Sequence, residues 1–493
     1  MIAAYGAALA IKPEPRDARL LVQSADAVLA VAPDGTRRRL LASAQGAAYS
    51  PDGTLVAFVR AGDLWLANAD GSGQRPLTAT RNVDEANPAW TANGAALVYE
   101  AQVDGERQIR IVALPTGPSR RIAVTDTEEW SPTISRTGRL AFVSTRNGPP
   151  QVFVASSDGL DAARFDANEP ATPAIDIRDV AWSPDGSRLA YTSVAGDGSS
   201  AVTVDDGTTQ AMLSVAPARD EHPVWSPTGS RIAFDDGAGD LLSVAADGSD
   251  RRELGAGTPI DWRTVPVSSA RFPNLVQRPP SGLEVMRSPR GRWLLGFTSM
   301  VDNRGPGVLW ILGMRAGKAR FMQVRQLVQL AGGGVRVVPT AGELHYTVAP
   351  PHYHWHYLGF DRYELRRTSD FSVVVRDRKS GFCIADHYAF ARRRPRFLGN
   401  CAQFHPEARW VEEGSSVGYA DRYPAYFHGQ ALDVTTVPAG MYWLVHEANS
   451  DFELREESYA DDTASLLVRI TWPHGRRAPP RIATLRTCSR ERC

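Results

Sequence analysis

The sequence predicts an all-β protein in two parts, a six-bladed β-propeller followed by a β-sandwich-like domain. Three observations lead there. A unit recurs through the first half at the ~40–45-residue period of propeller blades. Strand-like runs, several of them alternating, fill the second half, and neither half carries many long helical patterns.

The recurring unit is visible at 48–59 (AYSPDGTLVAFV), 88–99 (PAWTANGAALVY), 131–143 (SPTISRTGRLAFV), 180–192 (VAWSPDGSRLAYT) and 223–234 (PVWSPTGSRIAF). Each copy sets an aromatic or apolar anchor beside Ser-Pro or its equivalent, then a Gly-containing turn, then a strand. Second turns follow in NADGSG (68–73), SSDG (around 157–159) and AADGSD (245–250). Asp-Gly pairs supply the positive φ that tight hairpins need. They lack the carboxylate set of a calcium loop, so they read as turns.

Anchors fall at Tyr49, Trp90, Ile134, Trp182, Trp225 and Trp262, at intervals of 41, 44, 48, 43 and 37 residues. Four short strands per interval make one blade, so six anchors make six blades. The last anchor has no strands after it, while 19–42 has strands and a turn but no anchor. Joined, they complete one blade and close the ring without an open edge. These Trp-Ser-Pro-Asp-Gly units resemble the TolB-like propeller repeats of bacterial envelope proteins over residues 19–266. That resemblance implies a fold; for function it implies only binding, scaffolding or gating, with a protein partner for the propeller.

Composition narrows the classes. With 493 residues, two or more domains are expected. Lys+Arg and Asp+Glu both number 55, so charge gives no reason to expect nucleic acid or an anionic membrane. No apolar run approaches the ~18–20 residues of a spanning helix. The opening MIAAYGAALA is apolar with small residues but lacks a basic start; it reads either as the remnant of an export signal or as a disordered start. All four cysteines and nine of the ten histidines lie beyond residue 340. The chemistry therefore belongs to the second half.

After the Pro-rich junction 272–280 (FPNLVQRPP), strand-like runs continue at 291–303, 307–314, 333–340, 370–377, 441–448 and 464–472. They read as an antiparallel β-domain spanning 273–493. Within it, 352–365 (HYHWHYLGFDRYEL) sets His352, His354 and His356 at every second position. Period two is the strand period, so the three imidazoles share one face and Tyr353, Trp355 and Tyr357 the other. All-imidazole ligation suits copper, zinc or iron over magnesium or calcium; ligand type alone leaves zinc and copper open.

That strand, RKSGFC (378–383) and GYADRYPAYFHGQALDVTTVPAGMYWLVHEAN (418–449) occur in this order, preceded by PNLV (273–276) and LLGFTSMVDNRGPG (294–307). Together they resemble the lysyl oxidase family of copper-dependent amine oxidases over about 273–460. The resemblance implies copper (Cu2+) held by His352, His354 and His356. It also implies a lysyl tyrosylquinone formed from Lys379 and Tyr423 with O2. The family's cofactor lysine stands four residues before a Cys, as Lys379 stands before Cys383, and its tyrosine follows an Asp-x-Tyr pattern, here Asp421-Arg422-Tyr423. The implied reaction oxidises a primary amine, or a lysine-containing protein substrate, to an aldehyde with release of ammonia and H2O2. Lys379 must then act as an unprotonated amine, which implies a desolvated site and a lowered pKa.

The segment leaves the general base open between Asp421 and Asp433, and His387 and His428 are read as extra ligands, groups behind the ligands or structural histidines. The sequence departs from the family pattern where cysteines are absent, at Pro351, Tyr419 and Gly429. The resemblance leaves Cys383–Cys401 to close a loop on the lysine segment and Cys488–Cys493 a small terminal one. An even cysteine count favours an oxidising compartment, extracellular or at the cell envelope. Two other readings are weighed. The string Gly414-Ser415-Ser416-Val417-Gly418 matches G-x-S-x-G, as in propeller-bearing prolyl-oligopeptidase-type hydrolases, but no helix-like pattern follows it. The stronger rival is a non-enzymatic copper-binding envelope protein with a propeller interaction module.

Overall fold

The computed structural model describes residues 13–493 apart from 81, 116, 123–126, 157–158, 160, 166–173, 214–217, 266–269, 332, 340, 350–351, 378–380 and 426–430. Lys379, His428, Gly429, Pro351 and the apolar start at 1–10 lie outside the described residues. Every helix or strand element among the described residues is a β-strand. The chain divides into two compact units, Met1–Ser268 and Ser269–Cys493.

Among its described residues the first unit contains six four-stranded antiparallel sheets. Their innermost strands are Gln45–Tyr49, Val83–Trp90, Glu129–Ile134, Asp176–Trp182, Glu221–Trp225 and Thr258–Thr264. Each neighbours the next, and the last neighbours the first, so they form a closed cycle. The closing sheet pairs Thr258–Thr264 with Ala18–Ser24, followed by Ala27–Val31 and Arg37–Ala42. Hydrogen bonds between the two ends of the unit thus replace an open edge.

The recurrent Ser-Pro-Asp-Gly has a local cause. In the first copy Gly53 N–H donates to the Ser50 carbonyl at 2.8 Å, and Gly53 sits at φ 66°. Pro51 presets the turn, Gly53 takes the left-handed position, and Ser50 Oγ accepts the Leu55 amide at 2.9 Å. The same closure recurs at Ser183 and Gly186. The first five innermost strands each carry a register shift beside a positive-φ residue: Gly46, Asn87, Ser131, Asp179 and His222. These bulges bend each strand locally and increase its twist. The freed amides are recaptured by side chains from elsewhere in the ring: Ser131 N–H by Glu100 at 3.1 Å, Asp179 N–H by Ser131 Oγ at 3.1 Å, and His222 N–H by Thr192 Oγ1 at 3.1 Å. Apolar strand faces such as Leu64, Leu66, Trp90, Leu97 and Tyr99 fill the space between neighbouring sheets.

Among its described residues the second unit is built of three antiparallel sheets around one core. The first runs His352–Tyr357, Glu343–Ala349, Phe321–Leu330, Leu309–Met314, Trp410–Ser415. The second centres on Trp293–Asn303, which pairs with Leu275–Gln277 and Tyr419–Tyr423. The third runs Val373–Arg376, Asp361–Arg367, Gly440–Ala448, Thr463–Thr471, Arg481–Cys488. Phe297, Leu309, Trp355, Tyr363, Phe382, Tyr423 and Leu444 bring all three into one apolar cluster. The disulfides Cys383–Cys401 and Cys488–Cys493 are both formed. Gly414 and Ser415 close the strand Trp410–Ser415, which turns directly into Tyr419–Tyr423 with no helix between them. The strand–turn–helix geometry of a hydrolase nucleophile is absent there.

Candidate active site

The histidine strand alternates as its period demands. Trp355 is wholly buried; its indole N–H donates to the His405 carbonyl at 3.1 Å and its backbone N–H to Cys401 at 3.0 Å. Tyr346, from the neighbouring strand, meets it edge-on at 5.5 Å. With that face locked into the core, the other presents the imidazoles. The His354 and His356 rings lie 4.6 Å apart, His356 buried and His354 half-buried. His352 occupies the same strand face by register, opposite Ala349; its side chain lies outside the described residues. Among the described residues no three His, Cys, Asp or Glu converge as a metal cluster.

The donor set nevertheless fits a late first-row metal. Thr347 Oγ1 lies 3.0 Å from His356 Nδ1. With Nδ1 as donor, the ring's lone pair is at Nε2, the orientation a metal ligand needs. Thr347 and His345 are neighbours of the histidines that the sequence reading missed. They stand opposite His354 and His356 in the ladder and so share the histidine face. Burial and the Arg320 guanidinium, whose Nε donates to His345 Nε2 at 3.3 Å, hold His345 below the usual imidazole range. The alternation in His345-Tyr346-Thr347 was the available signal, but pairing it with 354–356 needs the hairpin. Thr347→Val is expected to weaken Cu(II) binding by about 10–100-fold with little change in melting temperature. Equilibrium competition against a copper chelator measures this; unchanged affinity would remove Thr347 from the site.

The lysine segment returns to this strand. Phe382 and Tyr357 exchange backbone hydrogen bonds, 2.7 Å and 3.0 Å long. Gly381, at φ 148°, packs so tightly that a Cβ there would lie 2.9 Å from His356 Cβ and 2.7 Å from the Tyr357 oxygen. Lys379 stands two positions earlier in the sequence. On the other side the Tyr423 hydroxyl donates to the Cys383 carbonyl at 2.6 Å, and the Phe382 ring stands edge-on to Tyr423 at 4.9 Å. The structure thus brings together His356, Gly381–Cys383 and Tyr423, from three distant parts of the sequence.

Tyr423 is buried, and burial first, then the Asp421 and Glu413 carboxyls, push its phenol well above the usual tyrosine range. Glu413 is itself buried and raised by desolvation; it accepts the Ile384 amide at 3.0 Å. The two carboxylates left open by the sequence separate here. Asp421 precedes Tyr423 by two positions and so shares its strand face. Asp433 pairs with Arg292 at 2.6 Å and registers with Leu294, whereas Tyr423 registers with Ser299. Five residues of extended strand, about 17 Å, place Asp433 away from the ring.

Asp377, just before the lysine segment, is pushed up to about 7, mainly by burial and further by the Asp361 carboxylate. The sign follows from the unfolded value near 4. Between pH 4 and 7 the folded state holds a proton that the unfolded chain has released, so this group's contribution to stability falls as pH rises. Asp377→Asn is expected to match the wild type at pH 4 and to exceed it at pH 8. Solvent screening of the half-buried carboxyl limits the gain to about 1 kcal/mol, or about 2–4 °C. Parallel thermal melts at the two pH values decide it; equal curves at both would leave Asp377 without the shift.

None of the curated proteins matches the chain. Among solved structures it is similar to TolB from Acinetobacter baumannii, at 18% identity, covering 50% of this chain and 68% of that one with a TM-score of 0.43. It is also similar to a putative TolB from Agrobacterium tumefaciens, at 16% identity, covering 50% of this chain and 92% of that one with a TM-score of 0.41. Residues 29–259 match the family model for the TolB beta propeller domain, and residues 313–472 match the one for lysyl oxidase. The chain carries a TolB beta propeller domain followed by a lysyl oxidase domain.

Proposed function

We propose that this protein is a copper-dependent primary-amine oxidase, acting on small primary amines or on lysine side chains of a protein. The products are an aldehyde, ammonia and H2O2, with O2 as electron acceptor. The observation that supports it best is the meeting of His356, the segment after Lys379, and Tyr423 in one buried site of a lysyl oxidase domain. His352, His354 and His356 would hold the copper ion, and Lys379 and Tyr423 would form the lysyl tyrosylquinone. That cofactor supplies a carbonyl that withdraws electrons from the amine-bearing carbon of the substrate.

The chain's own residues position and shield. Thr347 orients His356, the Cys383 carbonyl fixes the Tyr423 ring, and Phe382 and Tyr363 exclude water from its surroundings. The disulfide Cys383–Cys401 ties the lysine segment to the loop that also binds the back of Trp355. Two disulfides fit an oxidising compartment, outside the cell or in its envelope. Among the described residues no helix is long and apolar enough to cross a membrane. For the propeller the reading is a protein partner; its central cavity of 570 Å³ is lined in part by Trp90, Trp182, Trp225 and Trp262.

One observation favours the rival reading of copper binding without a quinone: the Tyr423 hydroxyl is engaged by a backbone carbonyl and held neutral by burial. Aerobic loading with Cu(II) followed by mass spectrometry of a tryptic digest separates the two. A Lys379–Tyr423 crosslinked peptide is expected. Recovery of both peptides separate and unmodified would leave only the copper-binding reading.

A further inference from the structure

The segment that carries Phe382 and Cys383 runs on to His387, whose role the sequence left open. Asp386 anchors that segment. Its carboxylate accepts the amides of Arg396 and Phe397, each at 2.9 Å, the Ser416 amide at 2.6 Å and the Ser416 hydroxyl at 2.7 Å. The His387 backbone N–H reaches the Ala420 carbonyl at 3.2 Å. A residue set this firmly presents its imidazole in one place.

That place is beside Tyr423. The His387 ring lies edge-on to the Tyr423 ring with centroids 5.8 Å apart. His387 Nδ1 is 2.6 Å from Asp421 Oδ1. The Arg422 amide also lies 3.4 Å from Nδ1, but the shorter, charge-assisted carboxylate contact decides the tautomer: Nδ1 carries the proton. Asp421 is buried at 3% exposure, while the His387 side chain is 39% exposed. A buried carboxylate on one imidazole nitrogen, with the ring open to solvent and next to the reacting group, is the arrangement of an oriented general base.

Resting on the amine-oxidase reading above, we infer that His387 is the proton acceptor of the reaction and that Asp421 is its positioning residue. The His387 Nε2 lone pair takes the proton from the substrate's amine-bearing carbon. The C–H bond breaks and an N–H bond forms on His387; the electron pair would be taken up by the quinone carbonyl with which the substrate amine had condensed, losing water. The proton then leaves to solvent through the exposed edge of the ring, and reoxidation by O2 would take up two electrons and two protons to give H2O2.

The charged and titratable neighbours are Asp421 and Tyr423 on the adjacent strand, Asp386 on the segment itself, and Glu413 acting on Asp421. The hydrogen bond to Asp421 raises the His387 pKa, desolvation opposes it, and the net direction is upward from 6.5. A base must be unprotonated to act. The rate should therefore fall on the acid side, below an apparent pKa higher than that of free imidazole.

The experiment uses the full-length, copper-loaded protein with 1,5-diaminopentane and its α-deuterated form as probes. For the wild type, a phenylhydrazine-reactive quinone is expected, and kcat/KM should show an acid limb with its midpoint above pH 6.5. For His387→Gln, the quinone titre should be unchanged, KM should stay within about threefold, and kcat should fall by about 10²–10⁴-fold with the deuterium effect retained and the acid limb lost. For Asp421→Asn, the limb should move to lower pH, because the anion that raises the imidazole is gone. His387→Gln with normal quinone, kcat within about threefold of wild type and the same limb would overturn the dyad while leaving the oxidase reading intact. A wild-type profile flat between pH 5 and 9 would overturn it without reference to any variant. A wild type that never titrates with phenylhydrazine would overturn the oxidase reading, and the dyad with it.

Discussion

Tyr423→Phe is expected to abolish amine-dependent peroxide production, by at least about 10³-fold, because on the proposed reading this side chain builds the electron sink and its neighbours cannot replace it. The visible absorbance and the quinone stain that appear after exposure to copper and oxygen should vanish with it. Copper should stay: the ring oxygen donates to the Cys383 carbonyl at 2.6 Å, and the histidines lie on another strand. Stability should drop modestly. The phenylalanine fills the same space, but the buried Cys383 carbonyl loses its partner, at a cost of about 1–3 kcal/mol. Steady-state peroxide assays, metal analysis and thermal melts on one preparation report all three. A Phe variant that still releases peroxide in proportion to amine would show that the cofactor is built from another residue.

Gly381→Ala tests the joint between the histidine strand and the lysine segment. The backbone there stands at φ 148°, a region that only glycine occupies readily. An added methyl would also meet the Tyr357 oxygen at 2.7 Å and His356 Cβ at 2.9 Å. Neither atom is the end of a flexible side chain, so the strand or the segment must move. We expect a loss of about 2–4 kcal/mol, combining backbone strain with overpacking. Displacing His356 should also weaken copper binding by at least about tenfold and lower the yield of the Lys379–Tyr423 crosslink. Calorimetry and chelator competition measure these; a variant matching the wild type in both would mean that the contact is slack and the two motifs are independently held.

Much of the fold was legible because it rests on local rules. The Ser-Pro-Asp-Gly turns need a Gly at positive φ and a Ser to cap the next amides, and both requirements act within six residues. The anchors Tyr49, Trp90, Ile134, Trp182 and Trp225 each end an innermost strand. The closing of the ring by the two ends of the repeat followed from counting anchors against strands. The positive-φ bulges at Asn87, Ser131, Asp179 and His222 were not legible, since each is stabilised by a partner that folding brings alongside, such as Glu100 for Ser131.

The site divides in the same way. Strand period alone puts His352, His354 and His356 on one face and Trp355 on the other. That Asp421 rather than Asp433 accompanies Tyr423 depends on where each strand registers along Trp293–Asn303. His387 meets Asp421 because its segment is held beside the Tyr419–Tyr423 strand, by Asp386 on Ser416 and by its own amide on the Ala420 carbonyl. The glycine at 381 looks like an ordinary turn residue until His356 is packed against it.

Periodicity and turn chemistry, which act over a few residues, were thus enough to determine an all-β chain, its repeat and a face of imidazoles. Ladder register and side-chain contact between neighbouring segments decided which carboxylate, which threonine and which further histidine stand beside Tyr423 and the histidine strand. The reason is that a strand specifies which face each side chain takes, whereas its neighbour is chosen only when the buried faces of all three sheets are satisfied together.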